Sequence, residues 1–292
     1  MANLKEIRGR IVSVNSTRQI TSAMKMVSAA KLKKAQDAVL QMRPYSEKLQ
    51  EILGNLSSSL DSSEGVYSSE REIKNILIVA ITSNRGLCGG FNNNIIKKVN
   101  SIIADNKDKG VVVLSIGKKA SEFYKHTSYN IKASDFPKHL NEVYDGLSFN
   151  KVAVIAENVM RHYVDKSFDK VILVYNRFKN AAVQEIMSEQ FLPIVPAKEV
   201  QNSKTNLDYI FEPSKKEIVE DIIPKSLKVQ FYKALLDSFA SEHGARMTAM
   251  HKATDNATDL IRDLKITYNK ARQASITNEI LEIVAGAEAL KG

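Results

Sequence analysis

Cysteine is nearly absent: Cys88 is the only one in 292 residues. That excludes an internal disulfide and a cysteine-rich metal site, and it fits a reducing compartment. Long apolar runs are missing as well. The longest, residues 76–81, falls far short of the roughly 20 residues that a membrane-spanning helix needs. The opening MANLKEIRGR lacks the apolar centre of a secretory leader, so the chain is expected to be at most peripheral to a membrane. No HExxH, GxSxG or phosphate-loop motif occurs, and the five histidines (His126, His139, His162, His243, His251) are not tied to Cys88 by sequence. No catalytic constellation is legible, and no cofactor or metal is expected. Proline stops at Pro224.

From that proline to the end of the chain runs a single helical pattern. Met250, Ala257, Leu264 and Ala271 recur every seven residues, with Ala253, Leu260, Thr267 and Ala274 three residues after each. This is the spacing of a left-handed coiled coil. Apolar residues continue through Ile276, Ile280, Ile283 and Ala287, and an apolar tip needs something to cover it. Residues 3 to about 56 read as a second long helix, striped by Leu4, Ile7, Ile11 and Val14. Pro44 should break or kink it. Two such helices are expected to pair antiparallel, because each alone leaves its stripe in water.

Charge is uneven. The net charge is +9, and residues 1–48 hold ten Lys or Arg against Glu6, Asp37 and Glu47. That pattern suits an acidic partner; charge alone suits a solvated basic face equally well.

The middle of the chain alternates strand and helix patterns. Strands are expected at 73–82, 111–116, 171–175 and 183–191, and helices at 92–106, 118–126 and 148–166, the last with Ser148 as N-cap. This alternation implies a mostly parallel sheet with helices on its faces, its last two strands forming an antiparallel hairpin. A short strand is expected at 209–211, with helix resuming at Pro213 and Ser214. The fold class is therefore α/β: a long antiparallel coiled coil of the N- and C-terminal helices with an inserted Rossmann-like α/β domain. The boundaries are 1–56 for the first helix, 57–72 for a linker, 73–212 for the insert and 213–292 for the second helix. The glycine-rich turn NRGLCGGFN (84–92) fits neither dinucleotide nor phosphate-loop spacing. It reads as a tight turn presenting Arg85 and Cys88 to a partner.

These residues resemble one family. Ile276, Thr277, Glu279, Glu282, Gly286, Ala287 and Ala289 fill the pattern I/V-T-x-E-x-x-D/E-x-x-x-G-A-x-A. ITSAMKMVSAAKLKKAQ (20–36), RGLCGGFN (85–92), FEPS (211–214) and ATDNATDLI (253–261) resemble further segments of the gamma subunits of F-type ATP synthases, in their bacterial form. The resemblance spans the whole chain. It implies a rotary central stalk that couples ion flow through a membrane ring to cycling of catalytic beta subunits. It implies no catalytic site in the chain itself, a non-catalytic subunit of a proton-transporting two-sector enzyme. The implied partners are the ring of alpha and beta subunits, the epsilon subunit and the membrane c-ring, with no nucleic acid. The implied place is the cytoplasmic face of the bacterial inner membrane, held only through the complex. By similarity Met24, Lys25, Arg85 and Cys88 lie near the beta lever. Arg246, Arg272, Gln273, Thr277 and Glu279 match positions that catch loops of the ring. Tyr209, Phe211 and Glu212 match the foot on the membrane ring beside epsilon. Three departures stand out: Asn84 where aspartate is usual, Gly244 where a small side chain is usual, and Phe211 where tyrosine is common. A basic coiled-coil scaffold and a nucleic-acid-binding arm are the rival readings; a nucleic-acid arm should carry interleaved aromatics, and residues 1–44 have none.

Overall fold

The computed structural model describes residues 4–57, 66–68, 71–131, 136–137, 140–194 and 215–290. They form five α-helices and four strands: α1 (Leu4–Ser57), β1 (Asn75–Ile81), α2 (Phe91–Asp105), β2 (Gly110–Ile116), α3 (Lys118–Tyr124), α4 (Phe149–Val164), β3 (Lys170–Phe178), β4 (Gln184–Leu192) and α5 (Lys215–Ala289). A short 3-10 helix, Leu140–Tyr144, precedes α4. The chain divides into two compact units, residues 1–28 with 246–292, and residues 29–245. The division cuts through both long helices rather than at their ends.

In the larger unit the sheet order is β2-β1-β3-β4. β1 pairs parallel with β2 and β3, and β4 pairs antiparallel with β3. β1 is apolar and buried from Ile76 to Ile81 because both of its faces are covered there. Leu77, Val79 and Ile81 join α4 and the α5 residues Leu227, Phe231 and Leu235 on one side. Ile76, Ile78 and Ala80 meet α2 and α3 through Ile95, Val99 and Tyr124 on the other. The helices show the matching stripes: Ile95, Val99 and Ile103 in α2, and Val152, Ile155, Val159 and Tyr163 in α4. Glu189 on β4 accepts bonds from Tyr175 on β3 (3.0 Å) and Gln230 on α5 (2.8 Å). One carboxylate thereby ties three elements together.

Two expectations are corrected here. Pro44 lies within a continuous α1 and does not break it. Among the buried and half-buried residues of α1 one row runs Leu4, Ile7, Ile11, Val14, Arg18, Thr21, Lys25, Ser28, Leu32, Ala35, Val39, Met42, Ser46 and Leu49. That is an unbroken alternation of three and four. Pro44 sits opposite this stripe, and the carbonyl that loses its N–H belongs to exposed Leu40, which solvent can reach. The second correction concerns Ser148. It holds the N-cap position with extended backbone, but its hydroxyl makes no cap bond. The expected strand at 209–211 and the restart at Pro213 and Ser214 lie outside the described residues; α5 is already helical at Lys215 and passes through Pro224.

The sheet is anchored at its base by Asp169. Its Oδ2 accepts the backbone N–H groups of Lys74 (2.9 Å) and Asn75 (2.8 Å), and its Oδ1 pairs with Arg71 at 2.9 Å. Arg71 also lies 4.4 Å over the Tyr163 ring and donates to the Tyr163 and Phe168 carbonyls. Burial alone would push the Asp169 carboxyl up; the two N–H groups and the guanidinium outweigh it and hold it below the ordinary carboxylate value. Asp169→Asn should therefore cost about 2 kcal/mol at neutral pH, the range for hydrogen bonds to a charged group. A carboxyl depressed in the folded state contributes stability that is present above its unfolded value. That contribution is lost as pH falls through the folded value. Denaturant titrations of both proteins should show the gap narrowing once pH drops below about 4; a gap independent of pH would show that charge is not the cause.

Candidate functional site

The smaller unit pairs the start of α1 with the end of α5. Thr21 and Thr254 hydroxyls meet at 2.8 Å, and Lys25 Nζ lies 3.3 Å from His251 Nδ1. Advancing four residues on α1 while retreating three on α5 makes the pair antiparallel. Along α5 the buried and half-buried seam runs Met250, Thr254, Ala257, Ile261, Leu264, Tyr268, Ala271 and Ser275. The seven-residue repeat through Met250 is as expected, but its companion row is one residue later. Of the expected row Ala253 is half-buried, but Leu260 is 48% exposed, and Thr267 and Ala274 are also exposed. The residues at the two candidate rows are A, L, T, A and T, I, Y, S, which hydrophobicity cannot separate. The hydrogen bond between Thr21 and Thr254 selects the second.

With Thr21 opposite Thr254, the described start of α1 at Leu4 lies level with about residue 271 of α5, by the 1.5 Å rise common to both helices. Beyond Ser275 every residue through Leu290, including the rest of α5, is exposed. The stretch is nonetheless apolar: Ile276, Ile280 and Ile283 share a face, Leu281 and Val284 lie round from it, and Ile283 is 71% exposed. Thr277 and Glu279 are on this stretch, and Arg272 and Gln273 are exposed just before it, with Thr277 donating to the Gln273 carbonyl at 2.9 Å. Arg246, expected among them, is instead 7% exposed and buried at the other end of the seam. Met24 and Lys25 are half-buried. Tyr209, Phe211 and Glu212 lie outside the described residues.

The other expected contact is the turn between β1 and α2. Arg85 is exposed there, but Cys88 is not presented: it is 2% exposed. Asn92 Nδ2 donates to its sulfur at 3.2 Å, and Cys88 packs with Phe91 and Ala245. The side chain this turn does present is Leu87, 64% exposed at φ 62. A left-handed leucine is strained by roughly 1–2 kcal/mol, a position nothing in the local pattern marks. Asn84 does two jobs. Its Nδ2 donates to the Asn141 carbonyl at 2.7 Å and its Oδ1 accepts from Lys118 N–H at 3.1 Å, while Asn141 Oδ1 accepts from Gly117 N–H. The amide thus joins the loops after β1 and β2 to the 3-10 helix. Gly117 is required there: at φ 104 a Cβ would stand 2.1 Å from the Thr82 carbonyl oxygen.

In open α/β sheets ligands bind beyond the carboxyl ends of the strands, where the strand order reverses. Here that point lies between β1 and β3, and the chain's own groups occupy it. Asn176, at the end of β3, donates to the Phe91 carbonyl at 3.2 Å, and its own carbonyl accepts from Ser241 of α5 at 3.0 Å. Ala245 covers Cys88 and Phe91. Gly244 lets α5 come close: a Cβ there would lie 3.3 Å from both Ala181 Cα and Phe178 Cε2. Two shallow grooves, of about 350 and 340 Å³, lie elsewhere, beside Tyr67 and Lys228 and beside Leu140 and Val154. Among the described residues no group of three His, Cys, Asp or Glu could hold a metal ion, and no helix is long and apolar enough to cross a membrane.

Known proteins match this arrangement. A family model described as ATP synthase matches residues 3–290. The ATP synthase gamma chain of Christiangramia forsetii is 62% identical, with 100% of each chain covered. That of Flavobacterium johnsoniae is 59% identical over the full length of both. In fold, the chain is similar to one in the rotor of the Euglena gracilis mitochondrial ATP synthase, at TM-score 0.64 and 24% identity, covering 94% of this chain and 98% of that one.

The turn and the filled crevice set two outcomes. Asn84→Asp would place a carboxylate against the Asn141 carbonyl and lose the donated bond. Thermal or denaturant unfolding should show a loss of about 1–3 kcal/mol at neutral pH, recovering as the carboxyl protonates. Isothermal calorimetry of the full chain with Mg-ATP should show no stoichiometric binding in the micromolar range, since α5 stands where a phosphate would enter.

Proposed function

The chain belongs to the ATP synthase family, among its gamma chains, and from that premise we propose how it works as the central stalk. It is a non-catalytic subunit, and its work is mechanical. The observation that carries this reading is the paired coil of α1 and α5 ending in an unpaired, apolar run of α5. A single helix emerging from a pair is off-axis by construction, so as it turns it meets each surrounding subunit differently.

The coupling is a population shift. A catalytic beta subunit exchanges among open and closed states, and the stalk biases that exchange only by contacting the states with different energies. Moving a two-state site from 1:99 to 99:1 takes about 5.5 kcal/mol of differential contact. Desolvation of apolar surface at roughly 25 cal/mol per Å² reaches this with a few side chains of the size of Ile280 and Ile283. The exposed run would turn inside a sleeve of alpha and beta subunits, with Arg272, Gln273, Thr277 and Glu279 meeting its loops. Met24, Lys25 and Arg85 would face the acidic lever of beta. Leu87 joins Arg85 on the exposed turn, whereas buried Cys88 and Arg246 would act by holding shape. The family resemblance assigns Tyr209, Phe211 and Glu212 to the foot, against epsilon and the c-ring. The complex would hold the chain at the cytoplasmic face of the membrane.

The test is assembly and rotation: the chain combined with its alpha and beta subunits should give an ATPase that turns a bead attached to the insert. Ile280→Asp together with Ile283→Asp should leave the free chain's unfolding within about 0.5 kcal/mol, since both sites are exposed. The same pair should weaken assembly at least tenfold, about 1.4 kcal/mol, read by gel filtration at falling concentration. Undiminished assembly would remove the sleeve from the reading.

A further inference from the structure

Within the larger unit α5 is held from two opposite sides. At about 100° per residue, Gln230, Ser241 and Gly244 share one face of the helix, and Lys228, Tyr232 and Phe239 share a face about 170° away. The first face meets β3, β4 and the turn between them. Gln230 Nε2 donates to Glu189 Oε1 at 2.8 Å, and Ser241 Oγ donates to the Asn176 carbonyl at 3.0 Å. At Gly244 a Cβ would lie 3.3 Å from Phe178 and Ala181. The second face meets α4 and the 3-10 helix. Lys228 Nζ pairs with Glu157 at 2.5 Å, Tyr232 stands edge-on to Phe149 with ring centres 5.7 Å apart, and Phe239 stacks on Tyr144 at 6.1 Å. These contacts span residues 228–244, roughly 24 Å of helix.

Apolar burial is non-directional, so it resists pulling α5 away from the sheet more than turning it in place. The polar contacts resist turning. A side-chain tip about 5–6 Å from the helix axis moves roughly 3 Å sideways when the helix rolls by about 30°, which takes a hydrogen bond out of range. A roll in either direction breaks contacts on both faces at once. We propose that residues 228–244 are the grip through which torque passes between the insert and α5, with Glu157 and Glu189 as the positioning residues that set the angle of the helix about its own axis. Glu189 suits this role because Tyr175 of β3 donates to its second oxygen at 3.0 Å. The carboxylate that receives Gln230 is thus itself fixed by the neighbouring strand. The proposal rests on the reading of the chain as a rotary stalk: α5 continues past the grip as one helix to Ala289, so a turn of the insert is passed along it.

The test uses the chain assembled with its alpha and beta subunits, the ring fixed to a surface and a bead on the insert. Lys228→Met and Gln230→Leu each remove a polar link, one from each face, and keep a helix-compatible stem. In the pauses at limiting ATP, the bead's angular spread should be wider in the double variant than in the parent and intermediate in Gln230→Leu alone. Unloaded ATP hydrolysis should continue in all three. Lys228→Arg, which keeps the ion pair, should keep the parent's spread. Asp169→Asn controls for lost stability: its partners are Arg71, Lys74 and Asn75 at the base of the sheet, and it should leave the spread unchanged. A double variant with the parent's spread overturns the grip while the rotary reading stands. An Asp169→Asn spread as wide as the double variant's does the same. A parent bead that does not turn removes the rotary reading, and the grip with it. If the double variant does not assemble, the comparison is read on Gln230→Leu, where an unchanged spread overturns the grip equally.

Discussion

The structure depends on one continuous helix meeting three environments in turn. From Leu227 to Ala245, α5 is buried on most of its circumference, against the sheet and its loops. From Met250 to Ser275 it is buried along a single seam. From Ile276 onward it is exposed throughout. Each environment sets its own composition. The first stretch is rich in small residues, Ala234, Ser238, Ala240, Ser241, Gly244 and Ala245, because backbone and strand ends approach closely there. The second keeps to a seven-residue repeat, because a helix paired with one other helix buries one stripe. The third keeps isoleucines with nothing against them. A 75-residue helix gains little of its stability from local propensity; packing supports the first two stretches.

That constraint also explains what fills the crevice of a Rossmann-like sheet here. The fold supplies a crevice beyond the carboxyl ends of the paired strands β1 and β3, and α5 needs a surface to bury its small-residue face. Asn176, Ser241, Gly244 and Ala245 meet there, and the crevice becomes part of the core. The glycines after β1 then serve the loop's geometry, which Asn84 ties to the neighbouring turn at Gly117 and Lys118. Asparagine suits position 84 for a chemical reason. The site needs one donor and one acceptor, and a carboxylate offers only acceptors.

Much of this architecture is legible in the residues alone. Strands β1, β2 and β3 announce themselves by apolar, β-branched runs that are largely buried, and α2 and α4 by stripes with the period of a helix. Antiparallel pairing of β3 with β4 is implied by the short turn around Lys179 and Asn180, which the Arg177 and Lys179 ion pairs with Glu185 close. Three features are not legible, each for a different reason. The phase of the α5 seam turns on Thr254, a polar residue whose place is set by a partner 233 positions away. The inward turn of Cys88 and the outward turn of Leu87 are decided by one left-handed residue, and leucine gives no sign of that conformation. The continuity of α1 through Pro44 depends on which side of the helix loses its hydrogen bond, which becomes visible only once the buried stripe is traced past it.

The exposed end of α5 carries the strongest physical argument about how the chain is used. A helix that docks in one groove needs an apolar stripe about 100° wide. Here Ile283, Ile276, Ile280, Val284 and Leu281 spread over about half the circumference, at 100° per residue. A groove would leave part of that surface wet, whereas a surrounding sleeve would cover it in every orientation. Thr277 and Glu288 fall within that apolar arc, and Glu279 and Glu282 lie outside it, so the helix cannot bind equally well at all angles. An apolar surface lets the helix turn without breaking hydrogen bonds, and scattered polar groups make some angles lower in energy than others. A rotor needs both properties: low friction between dwell positions, and an energy that depends on angle at each one.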